Sequence, residues 1–351
     1  MRVLITADAQ GGVWTYTVEL VRELRALGVE PFVAVMGGRL GNQQKSAIDF
    51  PYADSDYRLE WMDDCWDDVR KSGEWLLDIE RNWRPEIVHL NGYSHASLPW
   101  NCPALVVAHS CVLSWWRAVW NEPAPEEWNV YRVNVERGLR DAAAVVAPTR
   151  SMANALAFEH GISPSGITVI HNGLPAGAGP APLKREVVFA AGRVWDQGKN
   201  LLLLDRIAHR LSVPVAIAGD TGEIKPRGTA EFTGPLPRRC VQGWMKQAAV
   251  FASPSKYEPF GLAALEAALA GCALVLSDIP SYRELWDGAA LFADPNDEEA
   301  WIEQIHAAVS DNDLRLDLAW MAARNARNLN SERMAQQYLG LYSEMTGRCT
   351  S

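Results

Sequence analysis

The chain has 351 residues, of which 48% are hydrophobic and 22% charged, and 33 basic against 43 acidic side chains leave a net charge of −10. At roughly 100–200 residues per domain this length predicts two domains, and the composition excludes a disordered chain. The negative balance argues against non-specific binding of nucleic acid or of an anionic membrane.

MRVLITAD turns polar too soon for a signal peptide and predicts a buried strand over VLITA (3–7). GGVWTYTVELVRELRALG follows, with Val13, Thr17, Leu20, Val21, Leu24 and Leu27 at helical spacing and Gly28 at the C-cap position. PFVAVM (31–36), EIVHL (86–90), ALVVA (104–108) and AAAVVAP (142–148) read as further buried strands. A helix is expected from about Ser151, as its N-cap, to Gly161, and ITVI (167–170) leads into HNG. LPAGAGPAPLK (174–184) is rich in Pro, Gly and Ala, lacks periodicity and reads as an interdomain linker. The same grammar then restarts with EVVFAAG (186–192), PVAIAGD (214–220), VFASPS (250–255) and ALVLSD (273–278), separated by helices. One more helix is expected from Ser331 to Met345. Strands alternating with amphipathic helices predict parallel α/β units. The domains expected are 1–173 and 185–330, with 331–351 packing back on the first. No apolar run reaches the 18 or so residues that span a bilayer.

The six cysteines, Cys65, Cys102, Cys111, Cys240, Cys272 and Cys349, are widely spaced and include no CxxC pair. Neither a zinc site nor a disulfide framework fits, so a reducing cytoplasm is the expected location. Ten of the 15 tryptophans precede residue 130, which concentrates large amphipathic rings in the first half.

Parallel sheets bind ligands at the carboxyl ends of their strands. After the first strand, Gly11 and Gly12 open a helix and let backbone N–H groups approach an anion; the dinucleotide fingerprint GxGxxG is absent there. After EVVFAAG, the segment GRVWDQGKN carries Arg193 and Lys199, two cations able to clamp a diphosphate, although two charges on a loop are more often merely solvated. In ASPSKYEPFGLAALEAALAGCALVLSD, Glu258 precedes a helix expected to start near Phe260, and Glu266 lies inside it. The N–H groups of Phe260, Gly261 and Leu262 are expected to be unpaired and to receive a phosphate. A carboxylate at Glu258 then faces whatever that phosphate carries. The bare spacing of two glutamates is common, and its context gives it meaning.

The whole chain resembles the family-4 glycosyltransferases, retaining enzymes that use nucleotide sugars. PSKYEPFGLAALEAALAG resembles their E-x7-E motif, GGVWTY their N-terminal glycine loop and GRVWDQGK their Arg/Lys clamp. VVAHS and VIHNG resemble two further family segments, in family order. The resemblance implies a GT-B fold, two Rossmann-like doubly wound parallel-sheet domains facing across a cleft. It implies that Arg193 and Lys199, with the amides of Gly12, Phe260, Gly261 and Leu262, neutralise the donor diphosphate. Glu266 would hold the ribose, Glu258 the donor sugar, and the segment around Gly234 and Leu236 the nucleobase. His109 would lie near the reacting face of the sugar or its 6-hydroxyl. Two departures stand out: five residues separate Arg193 from Lys199 where many members have four, and Asn200 replaces the usual glycine.

Further candidates carry plainer readings beside them. His89, in IVHLNG, is a candidate for the acceptor side. Trp115, Trp116, Trp120 and Trp128 offer indole faces for a sugar acceptor, although Trp at helical spacing more often packs a core. The stretch 54–68 holds seven acids and one Arg, a net of −6, and reads as a solvated surface.

The function expected is therefore a cytoplasmic, metal-independent, retaining hexosyltransferase. Its donor is a nucleotide-diphosphate sugar, a UDP-sugar by default, and its acceptor a sugar or small molecule. No further cofactor, nucleic-acid partner or integral membrane association is expected. With no obvious carboxylate for a covalent intermediate, front-face displacement guided by the leaving phosphate is the expected route. An epimerase or other GT-B enzyme, or a non-catalytic nucleotide-sugar binder, are the rivals; a binder would be expected to lose Glu258, Arg193 or Lys199, and all three are present.

Overall fold

The computed structural model describes residues 1–9, 11–176 and 184–347. The chain forms two compact units. Met1–Arg117, Glu122–Pro175 and the segment from Ser331 make the first; Ala118–Asn121 and Ala176–Asn330 make the second. Most of the expected linker, 177–183, lies outside the described residues.

The first unit is built on a seven-stranded parallel sheet: β1 (Arg2–Asp8), β2 (Glu30–Met36), β3 (Tyr52–Asp54), β4 (Ile87–Leu90), β5 (Ala104–Val107), β6 (Ala144–Ala147) and β7 (Ile167–Val169). Their order is β3-β2-β1-β4-β5-β6-β7. The helices are α1 (Gly11–Ala26), α2 (Asn42–Ser46), α3 (Trp66–Trp83), α4 (Val112–Trp120), α5 (Asn129–Asp141) and α6 (Arg150–His160). Short Val/Ile/Leu runs such as β4 and β5 are buried throughout, as strands covered by helices on both faces must be.

The second unit has a six-stranded parallel sheet of β8 (Arg185–Ala191), β9 (Val215–Ala218), β10 (Glu231–Gly234), β11 (Ala248–Ser253), β12 (Ala273–Ser277) and β13 (Leu291–Ala293). Its order is β10-β9-β8-β11-β12-β13. The helices are α7 (Leu202–Ile207), α8 (Arg238–Gln247), α9 (Leu262–Leu269), α10 (Pro280–Trp286), α11 (Glu298–Ser310) and α12 (Asn312–Ala326). In each sheet the strand order reverses once, between β1 and β4 and between β8 and β11. At such points adjacent loops diverge and leave a crevice at the carboxyl ends.

The last helix, α13 (Ser331–Met345), belongs to the first unit and packs on α1. Tyr338 and Tyr342 are buried there, and the Tyr342 hydroxyl lies 2.6 Å from His89 Nδ1. Ser331 Oγ donates to Glu23 on α1 at 2.8 Å.

Three local expectations are corrected. The N-cap of α6 is Thr149, not Ser151: Thr149 is extended and its hydroxyl accepts the Met152 N–H at 3.0 Å. The edge strands β3, β10 and β13 escape a reading of apolar runs because each has only three or four residues. The acidic stretch 54–68 is not uniformly solvated. Asp54 is largely covered and paired with Arg39 and Lys45, and Glu60 holds two backbone amides.

Candidate active site

In the second unit, chemistry gathers at the sheet's switch point. The turn after β8 is tied together by Asp196, a buried carboxylate that accepts Gly198 N–H at 2.9 Å and holds the Arg193 guanidinium at 2.7 Å. Lys199 follows, and its ammonium meets Glu258 Oε2 at 2.5 Å. The loop after β11 is fastened to the same turn, since the N–H groups of Lys256 and Tyr257 both donate to the Gly198 carbonyl. Asn200 explains the departure from glycine. Its φ is +51°, a left-handed conformation that Asn tolerates, and its amide donates to the carbonyls of Pro254 and Pro295 at 3.0 and 2.8 Å. A glycine would supply the conformation without that bridge.

Glu258 is held from two sides. Oε2 faces Lys199 and Oε1 accepts the Gly261 N–H at 3.0 Å. The expected set of unpaired amides is therefore corrected at Gly261, whose N–H is already taken by Glu258. Gly261 has φ +90°, and a Cβ there would come 2.7 Å from the ring of Tyr282, so the approach to α9 requires glycine. Phe260 is buried beside it and Leu262 opens α9. Glu266, within α9, accepts from Arg238 Nε at 2.9 Å, which leaves its second oxygen outside that bond. Leu236 is half-buried between β10 and α8.

The first unit carries the other candidates. Gly12 lies exposed in the first turn of α1. His109, just beyond β5, lines a cavity of about 90 Å³ at the carboxyl ends of β1, β2 and β4, together with Asp8, Glu60, Trp61, Asn91 and Tyr131. Asn91 fixes that histidine. Its amide nitrogen donates to the Thr6 carbonyl at 2.6 Å and contacts Thr17 Oγ1 at 3.1 Å, while its oxygen lies 3.0 Å from His109 Nε2.

His89 is corrected. It is fully buried between Tyr16 and Tyr342 and is absent from the cavity wall, so it holds α13 to the sheet and offers no exposed surface to a ligand. Trp115 and Trp116 are half-buried on α4 and pack edge-to-face on one another at 5.8 Å; neither lines the cavity. Sequence reading missed Asp196, Asn91 and Glu60. Only the position of Asp196 inside the clamp segment could have signalled its role.

Burial drives His89 and His109 down to about 3. The unfolded rings bind protons below about 6.5 while the folded ones do not until about 3. Unfolded protein therefore holds more protons in that window, and stability falls as pH falls. Unfolding free energies from urea titrations between pH 6.5 and 5, above the carboxylate range, are expected to drop by on the order of 1 kcal/mol per pH unit for each ring. A flat profile there would contradict the neutral assignment.

Residues 10–176 match the family model described as Glycosyltransferase Family 4, and residues 185–311 match Glycosyl transferases group 1. D-inositol 3-phosphate glycosyltransferase of Jonesia denitrificans is 24% identical over 96% of this chain and 92% of its own. The sucrose-phosphate synthase structure from Thermosynechococcus elongatus superposes with a TM-score of 0.81 at 16% identity, covering 99% of each chain. Anabaena HepE in complex with UDP-glucose gives a TM-score of 0.78 at 16% identity, covering 98% of this chain and all of that one. Among the described residues no helix is long and apolar enough to cross a membrane. With both family models matched in sequence and two parallel-sheet units in the GT-B arrangement of strands, the chain belongs to the family 4, group 1 glycosyltransferases.

Proposed function

We propose that this protein is a retaining, metal-independent glycosyltransferase acting in the cytoplasm. It moves a hexosyl group from a nucleotide-diphosphate sugar, taken as a UDP-sugar, to a sugar or other small acceptor. The second unit takes the donor and the first the acceptor. The observation that carries this reading is the Lys199–Glu258 pair at 2.5 Å, set at the switch point beside Arg193 and the start of α9. HepE, a neighbour in fold, holds UDP-glucose, which supports the choice of donor.

The chemistry follows from these groups. A diphosphate arriving at Lys199 displaces Glu258 Oε2, and the freed carboxylate accepts a hydrogen bond from a hydroxyl of the donor sugar. Arg193, kept in place by Asp196, and Lys199 neutralise the charge that develops on the diphosphate as the C1–O bond breaks. The acceptor oxygen bonds to C1 on the same face, and its proton passes to the departing phosphate oxygen. Glu266, steadied by Arg238, accepts from the ribose hydroxyls. Positioning and fixed charge do the work, without a general base.

The test is a proton NMR time course of the full chain with UDP-glucose and candidate acceptors in excess EDTA. A product that keeps the equatorial anomeric proton of the α-linked donor, seen as a small H1–H2 coupling, supports the reading. An inverted product overturns retention, and UDP released with an epimerised sugar in the absence of acceptor favours an epimerase.

A further inference from the structure

The cavity of the first unit is lined by groups whose hydrogen-bonding sense is fixed. The Thr6 carbonyl can only accept, so the Asn91 atom bonded to it at 2.6 Å is the amide nitrogen and the oxygen faces the histidines. That oxygen can only accept, so His109 carries its proton on Nε2 and leaves a lone pair on Nδ1. His95, also in the wall, bonds through Nε2 to the Val69 carbonyl at 3.0 Å and is protonated on the same nitrogen. Burial lowers both rings, His109 to about 3. His109 therefore contributes no positive charge to the cavity.

The remaining charges are unbalanced towards the acids. Asp8 and Glu60 oppose Arg58, the one side-chain cation among the described residues of the wall, so two negative charges meet one positive. The Arg58 guanidinium is tied through Nη1 to the carbonyls of Asp63 and Asp64, at 3.1 and 3.3 Å. Glu60 itself is fixed, accepting the N–H groups of Tyr93 and Ser94 at 2.9 and 2.8 Å. Trp61 is 41% exposed and offers an indole face at the rim.

We propose that this cavity selects an uncharged polyhydroxylated acceptor, a free sugar or cyclic polyol, and rejects its phosphate esters. The inference rests on the donor-and-acceptor division proposed above and specifies the acceptor. Hydroxyl groups donate to carboxylates and to an imidazole lone pair, and a sugar ring face packs on indole. A phosphate monoester brings about −1.5 to −2 charges at pH 7 and only acceptor oxygens towards the same wall. Both terms disfavour it. The specificity would therefore differ from that implied by the name of the D-inositol 3-phosphate glycosyltransferase relative.

The test is ligand-observed NMR on the full chain with saturating UDP. The probes are glucose, maltose and myo-inositol against glucose 6-phosphate, glucose 1-phosphate and a myo-inositol phosphate. At least one neutral probe is expected to bind tenfold or more tightly than its phosphate ester, and to move the His109 Nδ1 resonance in a long-range proton–nitrogen spectrum. Asp8→Lys is expected to narrow or reverse the preference while UDP binding stays unchanged. Equal or tighter binding of the esters, no neutral probe bound, or neutral binding that leaves His109 unmoved overturns the proposal. UDP binding in the same samples reports separately on the donor reading.

Discussion

Lys199→Ala is expected to weaken binding of UDP by about 10- to 100-fold while leaving uridine nearly unchanged. A hydrogen bond to a charged partner contributes roughly 1.5–3 kcal/mol, and every 1.4 kcal/mol or so is tenfold in affinity. The ammonium sits one hydrogen bond from Glu258 and about a quarter exposed, so a diphosphate reaches it from solvent without the loop unfolding. The fold should survive, because Glu258 keeps its second bond to the Gly261 N–H. Calorimetric titration of both ligands into both proteins measures the split. Equal losses for UDP and uridine would show that the lysine shapes the pocket and does not bind phosphate.

Glu258→Gln is expected to separate binding from transfer in the opposite sense. Transfer should fall by roughly 10²- to 10³-fold, the loss typical of removing one preorganised group from a transition state. UDP affinity should stay level or rise up to about fivefold. In the free protein Oε2 occupies Lys199, and a partly exposed ion pair of this kind is worth roughly 0.2–1 kcal/mol against the incoming phosphate. Glutamine keeps the Gly261 contact and removes the competing charge. If instead UDP binding collapsed along with transfer, Glu258 would be part of the nucleotide site and its assignment to the sugar would be wrong.

Much of the fold was legible because parallel strands buried on both faces must be short apolar runs. VVFAA, VFAS and ALVLS stand out against the amphipathic helices between them, as do the central strands of the first sheet. Edge strands such as Glu231–Gly234 are exposed at one end and too short for a run to register. In the second unit, the motif context brought Lys199, Glu258 and the Gly261 turn into view, and hydrogen bonds join all three. The sense of those bonds was not readable. Counting helix-start amides leaves Gly261 free, but a carboxylate three residues earlier reaches back to cap it. His89 and Asn91 show the same limit in the first unit. Two residues apart at the end of one strand, one is sealed beneath Tyr342 and the other orients a cavity histidine. The two side chains share a face of the strand and touch one another; only the packing of a helix more than 240 residues later in the chain separates their roles, and it leaves no local pattern.

The most direct test of a metal-free nucleotide-sugar site is calorimetric binding of UDP, GDP and ADP to the purified chain in excess EDTA. Saturable one-to-one binding of one of them, lost on Lys199→Ala, is the predicted result. It would name the base and narrow the donor to a few sugars. Absence of binding by all three in EDTA, with binding restored by a divalent cation, would contradict the assignment of the diphosphate to Arg193 and Lys199 alone.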